Sequence, residues 1–109
     1  MKVLFLPEIF EYFENLALIL HEKGYFGFKE TAKKYVTELV NDIKTTLPIL
    51  PSKPAPKHFE RYGDKMEYVV FRKSKHTHWY VFFRVYKKNG EDIYQVRYIA
   101  NNHTIAQYL

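Results

Sequence analysis

Two kinds of side chain in the C-terminal half of the chain could act on an anion or on a proton. Arg84 and Arg97 carry guanidinium groups, which bind phosphate or carboxylate in a forked geometry. His103 follows the last predicted strand, and an imidazole can carry protons near neutral pH. These residue types are typical of a site that holds a phosphate and moves protons around it, provided that the fold brings them together.

The position of the two arginines depends on one predicted turn. The Asn89-Gly90 dipeptide lies between two strand-like stretches and is the strongest hairpin signal in the chain. A two-residue turn at this point pairs Arg84 with Gln95 and Phe82 with Arg97, because residues equidistant from the turn face each other. The two arginines are then diagonal neighbours on one face, within reach of a single phosphate.

The same register sorts the hairpin into two faces. We expect the helices to cover an apolar face made of Trp79, Val81, Phe83, Val85, Tyr94, Val96 and Tyr98. We expect an open face made of Tyr80, Phe82, Arg84, Tyr86, Ile93, Gln95, Arg97 and Ile99. Tyrosine rings beside arginines can stack on RNA bases and hold phosphates, or bind an acidic peptide. Alternatively, the arginines only span a half-covered face with their aliphatic stems or pair with acids of the chain.

The turn before this hairpin is basic. The candidate RNA-binding residues are Arg72, Lys73, Lys75 and His76 from this turn and Tyr80, Tyr86 and Gln95 from the hairpin. An odd number of loop residues places Arg72 on the face of Arg84, and an even number places it on the opposite face. His76 and His78 have no third ligand nearby and the chain has no cysteine, so we expect no metal site and no cofactor.

A predicted α+β fold positions these residues. Apolar residues spaced by three and four predict helices over Glu8–Glu22 and Lys29–Leu47, joined into a hairpin by Gly24–Gly27. Strand patterns cover Val3–Leu6, Met66–Lys73, Thr77–Lys87 and Asp92–Asn101. The order βααβββ predicts a two-helix hairpin packed on one face of an antiparallel β-sheet. Four prolines between residues 48 and 56 predict a stiff linker without regular structure.

Length and composition limit the possible classes of protein. The 109 residues predict a single domain over residues 1–109, and 47% hydrophobic with 27% charged residues argues against a disordered chain. The absence of cysteine excludes thiol catalysis, disulfides and thiolate metal sites. The first apolar run ends at Pro7, too early for a signal peptide, and no run is long enough to cross a membrane. We therefore expect a cytoplasmic protein without a membrane partner.

The basic character lies in the second half of the chain. Residues 1–52 contain six Lys and Arg against seven Asp and Glu, a net charge of −1, whereas residues 53–109 contain eleven against five, a net charge of +6. This asymmetry favours an acidic partner for the second half, either nucleic acid or an acidic protein. A solvated lysine-rich surface is the alternative.

The complete layout resembles the RelE/ParE superfamily of toxins from type II toxin–antitoxin pairs, in its HigB/RelE-like branch. The resemblance depends on an opening strand that runs into Pro7-Glu8 and a helix, the second helix with its stretch AKKYVTEL at 32–39, the proline-rich break, and the stretch YIANNH at 98–103. It covers essentially the full chain. It implies a small basic toxin that is silenced by a cognate antitoxin and that, in many members, cuts mRNA on the ribosome without a metal ion and so inhibits translation.

The resemblance also implies roles for individual residues. His103 matches the histidine that follows the last strand in HigB-like members, and Tyr108 falls where RelE-like members place a tyrosine in the tail. Arg84 and Arg97 would hold the phosphate. Lys73 and Lys75 would contact the ribosomal RNA backbone.

Two positions differ from the usual RelE-like nuclease pattern. Tyr80 and Asn102 stand where those nucleases usually carry arginine. A ParE-like toxin directed at DNA gyrase, another non-nucleolytic toxin, or an inactive module that binds the antitoxin therefore remain alternatives. The oligomeric state is left open by the sequence.

Overall fold

A computed structural model of the protein describes residues 1–102, and it has the predicted α+β architecture. Two helices pack against one side of a five-stranded sheet. The elements are β1 (Lys2–Phe5), α1 (Pro7–Glu22), α2 (Lys29–Thr46), β2 (Lys53–Pro54), β3 (Glu67–Arg72), β4 (His78–Lys88) and β5 (Glu91–Asn101). The strand order across the sheet is β1-β5-β4-β3-β2. Among these residues no helix is long and apolar enough to cross a membrane.

The sheet is mixed, and the prediction of an antiparallel sheet is wrong at one edge. β2, β3, β4 and β5 pair antiparallel in succession, but β1 pairs parallel with β5, in a register that places Lys2 opposite Ile93 and Phe5 opposite Val96. No hairpin joins β1 to β5, since almost the whole chain lies between them. A long connection of this kind permits parallel pairing, whereas a tight turn imposes antiparallel pairing.

The two helices form where the apolar spacing predicts them. α1 starts at Pro7, which is tolerated in the first turn because a helix does not need that N–H group. Its buried face carries Ile9, Phe13 and Leu16, and α2 buries Ala32, Val36, Leu39 and Ile43. These side chains form the main core with the near face of the sheet, whose most buried residues are Trp79, Val81, Phe83, Val96 and Ile99.

The β4–β5 hairpin has the predicted turn but not the complete predicted register. Asn89 and Gly90 have φ of 52° and 78°, as a tight two-residue turn requires, and Arg84 pairs with Gln95 as predicted. The register then shifts at a β-bulge, so that Phe82 pairs with Tyr98 and the predicted Phe82–Arg97 pair is wrong. One extra residue in β5 reverses the face of every residue that follows it.

The bulge exchanges two residues between the faces of the sheet. Tyr98 was expected under the helices but packs on the far face with Phe82, and Ile99 was expected on the far face but lies in the main core. Val85 was also expected to be covered by the helices, and it is 36% exposed.

The proline-rich segment contains regular structure, contrary to the prediction. Short 3-10 helices form at Leu47–Ile49 and Lys57–Tyr62, and β2 lies between them. β2 is an edge strand of the sheet, and Pro54 is tolerated there because an edge strand need not donate every backbone hydrogen bond. We call the Lys57–Tyr62 element the covering helix, because it lies on the far face of the sheet.

The covering helix closes part of the face that was expected to be open. Phe59 is 1% exposed, and its ring stacks on that of Phe82 with centroids 4.3 Å apart. Phe59, Phe82, Met66 and Ala100 form a second small core. The far face therefore divides into a covered part, beneath the covering helix, and an uncovered part towards the β4–β5 turn.

Candidate functional site

Arg84 and Arg97 lie on the same face of the sheet, the one away from the helices. Arg84 pairs across the strands with Gln95, and the Arg97 guanidinium donates a hydrogen bond to the side-chain oxygen of Gln95 at 2.7 Å. Because residues that face each other on paired strands share a face, these contacts define a row of Arg84, Gln95 and Arg97. We call it the arginine row.

Arg97 holds the covering helix in place. Its Nε donates to the backbone carbonyl of Tyr62 at 2.6 Å. The next residue, Gly63, has a φ of 149°, and a Cβ at that position would lie 2.7 Å from Nε of Arg97. Only glycine therefore allows the guanidinium to pass so close to the backbone. Two of the five N–H donors of Arg97 are used by Tyr62 and Gln95.

Arg84 is more accessible than Arg97. Its guanidinium lies 3.1 Å from the carboxylate of Asp64, and the side chains are 45% and 71% exposed. An ion pair this exposed contributes at most about 1 kcal/mol, so a bound phosphate can displace the carboxylate at little cost.

A cleft of about 490 Å³ begins beside Arg97. It is lined by the five consecutive residues Arg97 to Asn101 of β5, by Glu8, Ile9 and Tyr12 of α1, and by Tyr62 of the covering helix. Its walls bring tyrosines from three different elements close to one guanidinium. The cleft therefore combines a cation with aromatic surface, the two features that RNA-binding sites use.

Two tyrosines of the cleft, Tyr12 and Tyr98, stay protonated at any physiological pH. The rings of Tyr62 and Tyr98 stack with centroids 3.9 Å apart. Burial, followed by a hydrogen bond with Tyr62, raises the pKa of Tyr98 to about 12. Burial, with a smaller contribution from Tyr98, raises the pKa of Tyr12 to about 12. These phenols can therefore donate hydrogen bonds to an anion, but they are poor proton donors at neutral pH.

Sequence reasoning missed the tyrosines of this cleft. The bulge hid Tyr98, and the proline-rich segment that carries Tyr62 was expected to lack regular structure. Tyr12 stands beside Phe13 on α1, where it fits an ordinary helix–sheet core. No local signal in the sequence links these three positions.

The basic residues of the β3–β4 turn do not converge on the arginine row. Residues 73–77 form a five-residue connection, and the odd number places Arg72 on the same face as Arg84. Lys73 turns to the helix side instead, with its ammonium 3.2 Å from Asp42 and above the ring of Tyr35.

The remaining turn residues lie near the end of β5. Lys75 and His76 are exposed in the turn. The backbone carbonyl of His76 accepts a hydrogen bond from the Asn102 side chain at 3.2 Å, and the oxygen of the same side chain accepts one from the backbone N–H of His78 at 3.0 Å. Asn102 therefore ties this turn to the C-terminal end of β5.

The predicted aromatic RNA-binding residues are separated from each other. Tyr80 packs in the second core next to Tyr68, with ring centroids 6.0 Å apart. Tyr86 is 37% exposed and lies near the hairpin turn, two residues before Lys88, whose partner Glu91 follows the turn. His103 and Tyr108, predicted as catalytic, lie outside the described residues. Within residues 1–102, strand pairing and a hydrogen bond join Arg84, Gln95 and Arg97 of the predicted set, and Tyr86 lies two residues from Arg84 on the same face of β4.

Comparison with protein-family models, with curated proteins and with solved structures gave no match to this chain. Among residues 1–102, no three His, Asp or Glu side chains are grouped so that they could hold a metal ion.

Proposed function

We propose that this protein is the toxin of a type II toxin–antitoxin pair, with a RelE/ParE-like layout, and that it cleaves mRNA on the ribosome without a metal ion. The order of one strand, two helices and a C-terminal antiparallel hairpin supports the layout. The observation that carries the cleavage proposal is the arginine row, which lies on the face away from the helices and next to a cleft lined by tyrosines.

The proposed reaction is attack of a ribose 2′-oxygen on the adjacent phosphorus. The 2′-oxygen loses its proton, a new P–O bond forms, and the bond to the 5′-oxygen breaks, so that a cyclic phosphate and a 5′-hydroxyl result. Such a reaction needs a base, an acid and cations around the crowded phosphate. Arg84 supplies a cation once Asp64 is displaced, and Arg97 has donors besides the two that bind Tyr62 and Gln95.

The proposed roles of Tyr98 and His103 follow from the chemistry of the reaction and from the resemblance to RelE/ParE toxins. Tyr98, whose raised pKa keeps the phenol protonated, donates to a phosphate oxygen once its hydroxyl turns away from Tyr62. His103, two positions beyond Asn101 in the sequence, is assigned the proton transfer. In this proposal the antitoxin, the ribosome and mRNA are the partners, and the protein acts in the cytoplasm.

The test compares an arginine variant with a lysine variant from the same strand, and adds a variant of the histidine. Wild type, Arg84→Ala, His103→Ala and Lys87→Ala are each expressed from an inducible promoter, and mRNA 5′-hydroxyl ends are mapped. Lys87 is the matched control, since it forms an exposed ion pair with Asp92 at 3.6 Å and points to the other face.

We expect Arg84→Ala to lower cleavage about tenfold or more, as loss of a charge-assisted hydrogen bond to phosphate does. We expect His103→Ala to abolish cleavage and Lys87→Ala to match wild type. Cleavage by Arg84→Ala at the wild-type rate, or an equal loss in Lys87→Ala, would contradict the assignment. Arg97 is left intact because its substitution would also release the covering helix.

A second candidate function is a ParE-like toxin directed at DNA gyrase. It is favoured by one observation: both arginines of the row already have partners, Asp64 for Arg84 and the Tyr62 carbonyl for Arg97. A protein of this kind inhibits supercoiling by purified gyrase and leaves mRNA intact. An inactive antitoxin-binding module does neither and leaves growth unaffected.

A further inference from the structure

β3 is longer than the strand that covers its outer edge. β2 pairs with β3 only at Glu67 and Tyr68, whereas β3 continues to Arg72. β2 is the last strand in the order across the sheet, so within residues 1–102 no other strand lies on that side of β3. We call residues 69–72, which extend past β2, the β3 edge. This edge and the two segments that flank it all lie within the described residues.

Backbone hydrogen bonds on either side of the β3 edge show which of its groups face outwards. The N–H of Ala55 donates to the carbonyl of Met66 at 2.9 Å, so Met66 faces β2. The N–H of Lys73 donates in the opposite direction, to the carbonyl just before β4, at 3.2 Å. β3 pairs with β4 in unbroken register, and successive residues of a strand direct their backbone groups to alternate sides. The N–H and C=O groups of Val70 and Arg72 therefore point away from β4, and no backbone group within residues 1–102 pairs with them.

Pro51 explains why β2 does not cover this edge. In the register that places Lys53 opposite Tyr68, the residue opposite Val70 would be Pro51. Proline has no N–H group and cannot donate to the carbonyl of Val70, so the pairing ends at Lys53.

A cleft of about 350 Å³ lies beside the β3 edge. It is lined by Leu50 and Pro51, by Lys53 of β2, and by four residues of β3 that include Val69 and Val70. Neighbouring side chains of a strand point to opposite faces. A cleft that touches consecutive residues therefore runs along the backbone edge rather than over one face.

The cleft is positively charged on the far face of the sheet. Lys53 lies opposite Tyr68, and Val70 and Arg72 follow Tyr68 at intervals of two, so all four side chains share that face. Lys53 and Arg72 are exposed, and neither belongs to an ion pair formed within residues 1–102. The described residues that line the cleft include no carboxylate. An incoming segment thus meets two cations, with Val70 between them.

We infer that the β3 edge accepts an extended acidic segment of a partner protein as an added strand. Its backbone bonds to Val70 and Arg72, and its carboxylates lie beside Lys53 and Arg72. A strand edge presents N–H and C=O groups in a row, which another peptide backbone matches and a nucleic acid does not. A second copy of this chain is a poor match, because its edge would bring the same cations against these. This interaction needs no RNA and does not depend on mRNA cleavage.

The alternation of an added strand defines the pattern of the segment. The residues opposite Val70 and Arg72 direct their side chains to the far face, where the two cations lie. The residue between them points to the face of the helices, where Leu50 packs against the main core. The segment is therefore expected to carry two acidic residues separated by one apolar residue.

The test uses a capped eight-residue peptide in which Glu-Val-Glu is flanked by alternating valine and threonine. The peptide is added to the full chain, and amide hydrogen exchange is followed by NMR. We expect the amides of Val70 and Arg72 to exchange rapidly in the free protein, and about tenfold or more slowly at saturation with peptide. The amides of Val69 and Phe71 face β4, so they are the internal control and should change much less.

Two modified peptides separate strand addition from other binding. N-methylation of the peptide amides that face the edge keeps every side chain but removes backbone hydrogen bonds, and we expect binding to weaken about tenfold. A peptide with Glu-Val-Val-Glu keeps the charge but places the carboxylates on opposite faces, and it should bind about fivefold more weakly.

Variants of the protein test the two cations. Arg72→Ala should weaken binding of the Glu-Val-Glu peptide about fivefold and leave binding of a threonine-only peptide unchanged. Lys75→Ala is the matched control, since Lys75 is an exposed cation of the adjacent turn that does not line the cleft, and it should bind as wild type does.

Four results would overturn the inference. In the first, no peptide protects Val70 and Arg72. In the second, the N-methylated peptide binds as well as its parent, or Arg72→Ala and Lys75→Ala bind the acidic peptide equally. In the third, a uridine oligonucleotide protects these amides and the peptide does not. In the fourth, the free chain sediments as a dimer with the same amides already protected. Failure of mRNA cleavage with intact peptide binding would refute only the proposed nuclease function.

Discussion

Tyr12 and Tyr98 keep their phenolic protons far into the alkaline range because ionisation would place a charge in a poorly hydrated cleft. Their pKa values of about 12 stand above the ordinary value of 10.0. Between these two pH values the unfolded chain loses protons that the folded chain retains. The free energy of unfolding must therefore fall as the pH rises from 10 to 12, and it is unaffected by these groups below pH 10.

This pH dependence is testable with single hydroxyl deletions. Tyr12→Phe removes one group with a raised pKa, so the decrease in unfolding free energy between pH 10 and 12 should be shallower than in wild type. Urea unfolding at several pH values in that window measures the slope. Tyr25→Phe is the control, since Tyr25 is 71% exposed, and it should keep the wild-type slope. Equal slopes for all three proteins would show that the cleft does not retain the phenolic protons.

The partners of single residues were predictable only where they are local. Arg84 faces Gln95 because both are close to an Asn-Gly turn that fixes the register. Asp64 and the carbonyl of Tyr62 come from a segment at least 20 residues away, and no periodicity links them to the arginines. The sequence therefore indicates which face the arginines occupy but not what they bind.

The covering helix is the reason why the far face of this sheet is not fully open. Phe59 is its one fully buried residue and stacks on Phe82, while Arg97 holds its C-terminal end through Tyr62. Since a six-residue 3-10 helix has little stability of its own, the element depends on these contacts. Its position controls how much of the arginine row is exposed.

Truncation of Phe59 should therefore destabilise the protein and release the covering helix. A buried Phe→Ala change costs about 3–5 kcal/mol, a large part of the 5–15 kcal/mol typical of a domain. Urea unfolding measures the loss, and amide exchange at residues 60–63 reports on the helix. Lys57→Ala changes an exposed residue of the same helix and should cost less than about 0.5 kcal/mol. Similar losses in the two variants would mean that Phe59 does not anchor the element.

At the level of elements, periodic patterns were enough for α1, α2 and the three C-terminal strands. β2 and the covering helix were missed because the prolines within and before them argue against regular structure. The bulge was missed for a different reason: Tyr98 and Ile99 are both apolar enough to be buried, so neither register places a charge in the core. A pattern of hydrophobic and polar residues cannot distinguish registers when both faces are covered.

The first strand of the chain, β1, forms one edge of the sheet. β1 joins the start of the chain to β5, and its parallel pairing was not predictable from a pattern of four apolar residues. Phe5 is the residue that fixes β1 to the helical layer, since its ring meets those of Phe10 and Phe13 at centroid distances of 5.6 and 5.9 Å. β1 also covers the outer edge of β5 from Ile93 to Val96.

If β1 is an integral part of the main core, then Phe5→Ala should shift the unfolding of the entire protein. We expect a loss of about 3–5 kcal/mol. Trp79, the one tryptophan of the chain, lies in β4, which β5 separates from β1, and its fluorescence reports on the sheet at a distance. The Trp79 transition and the far-UV circular dichroism transition should move together to lower urea. Leu4→Ala, at a position 37% exposed on the other face, should have a much smaller effect. An unchanged Trp79 transition in Phe5→Ala would instead mean that β1 detaches from Ile93–Val96 by itself while the rest of the sheet stays folded.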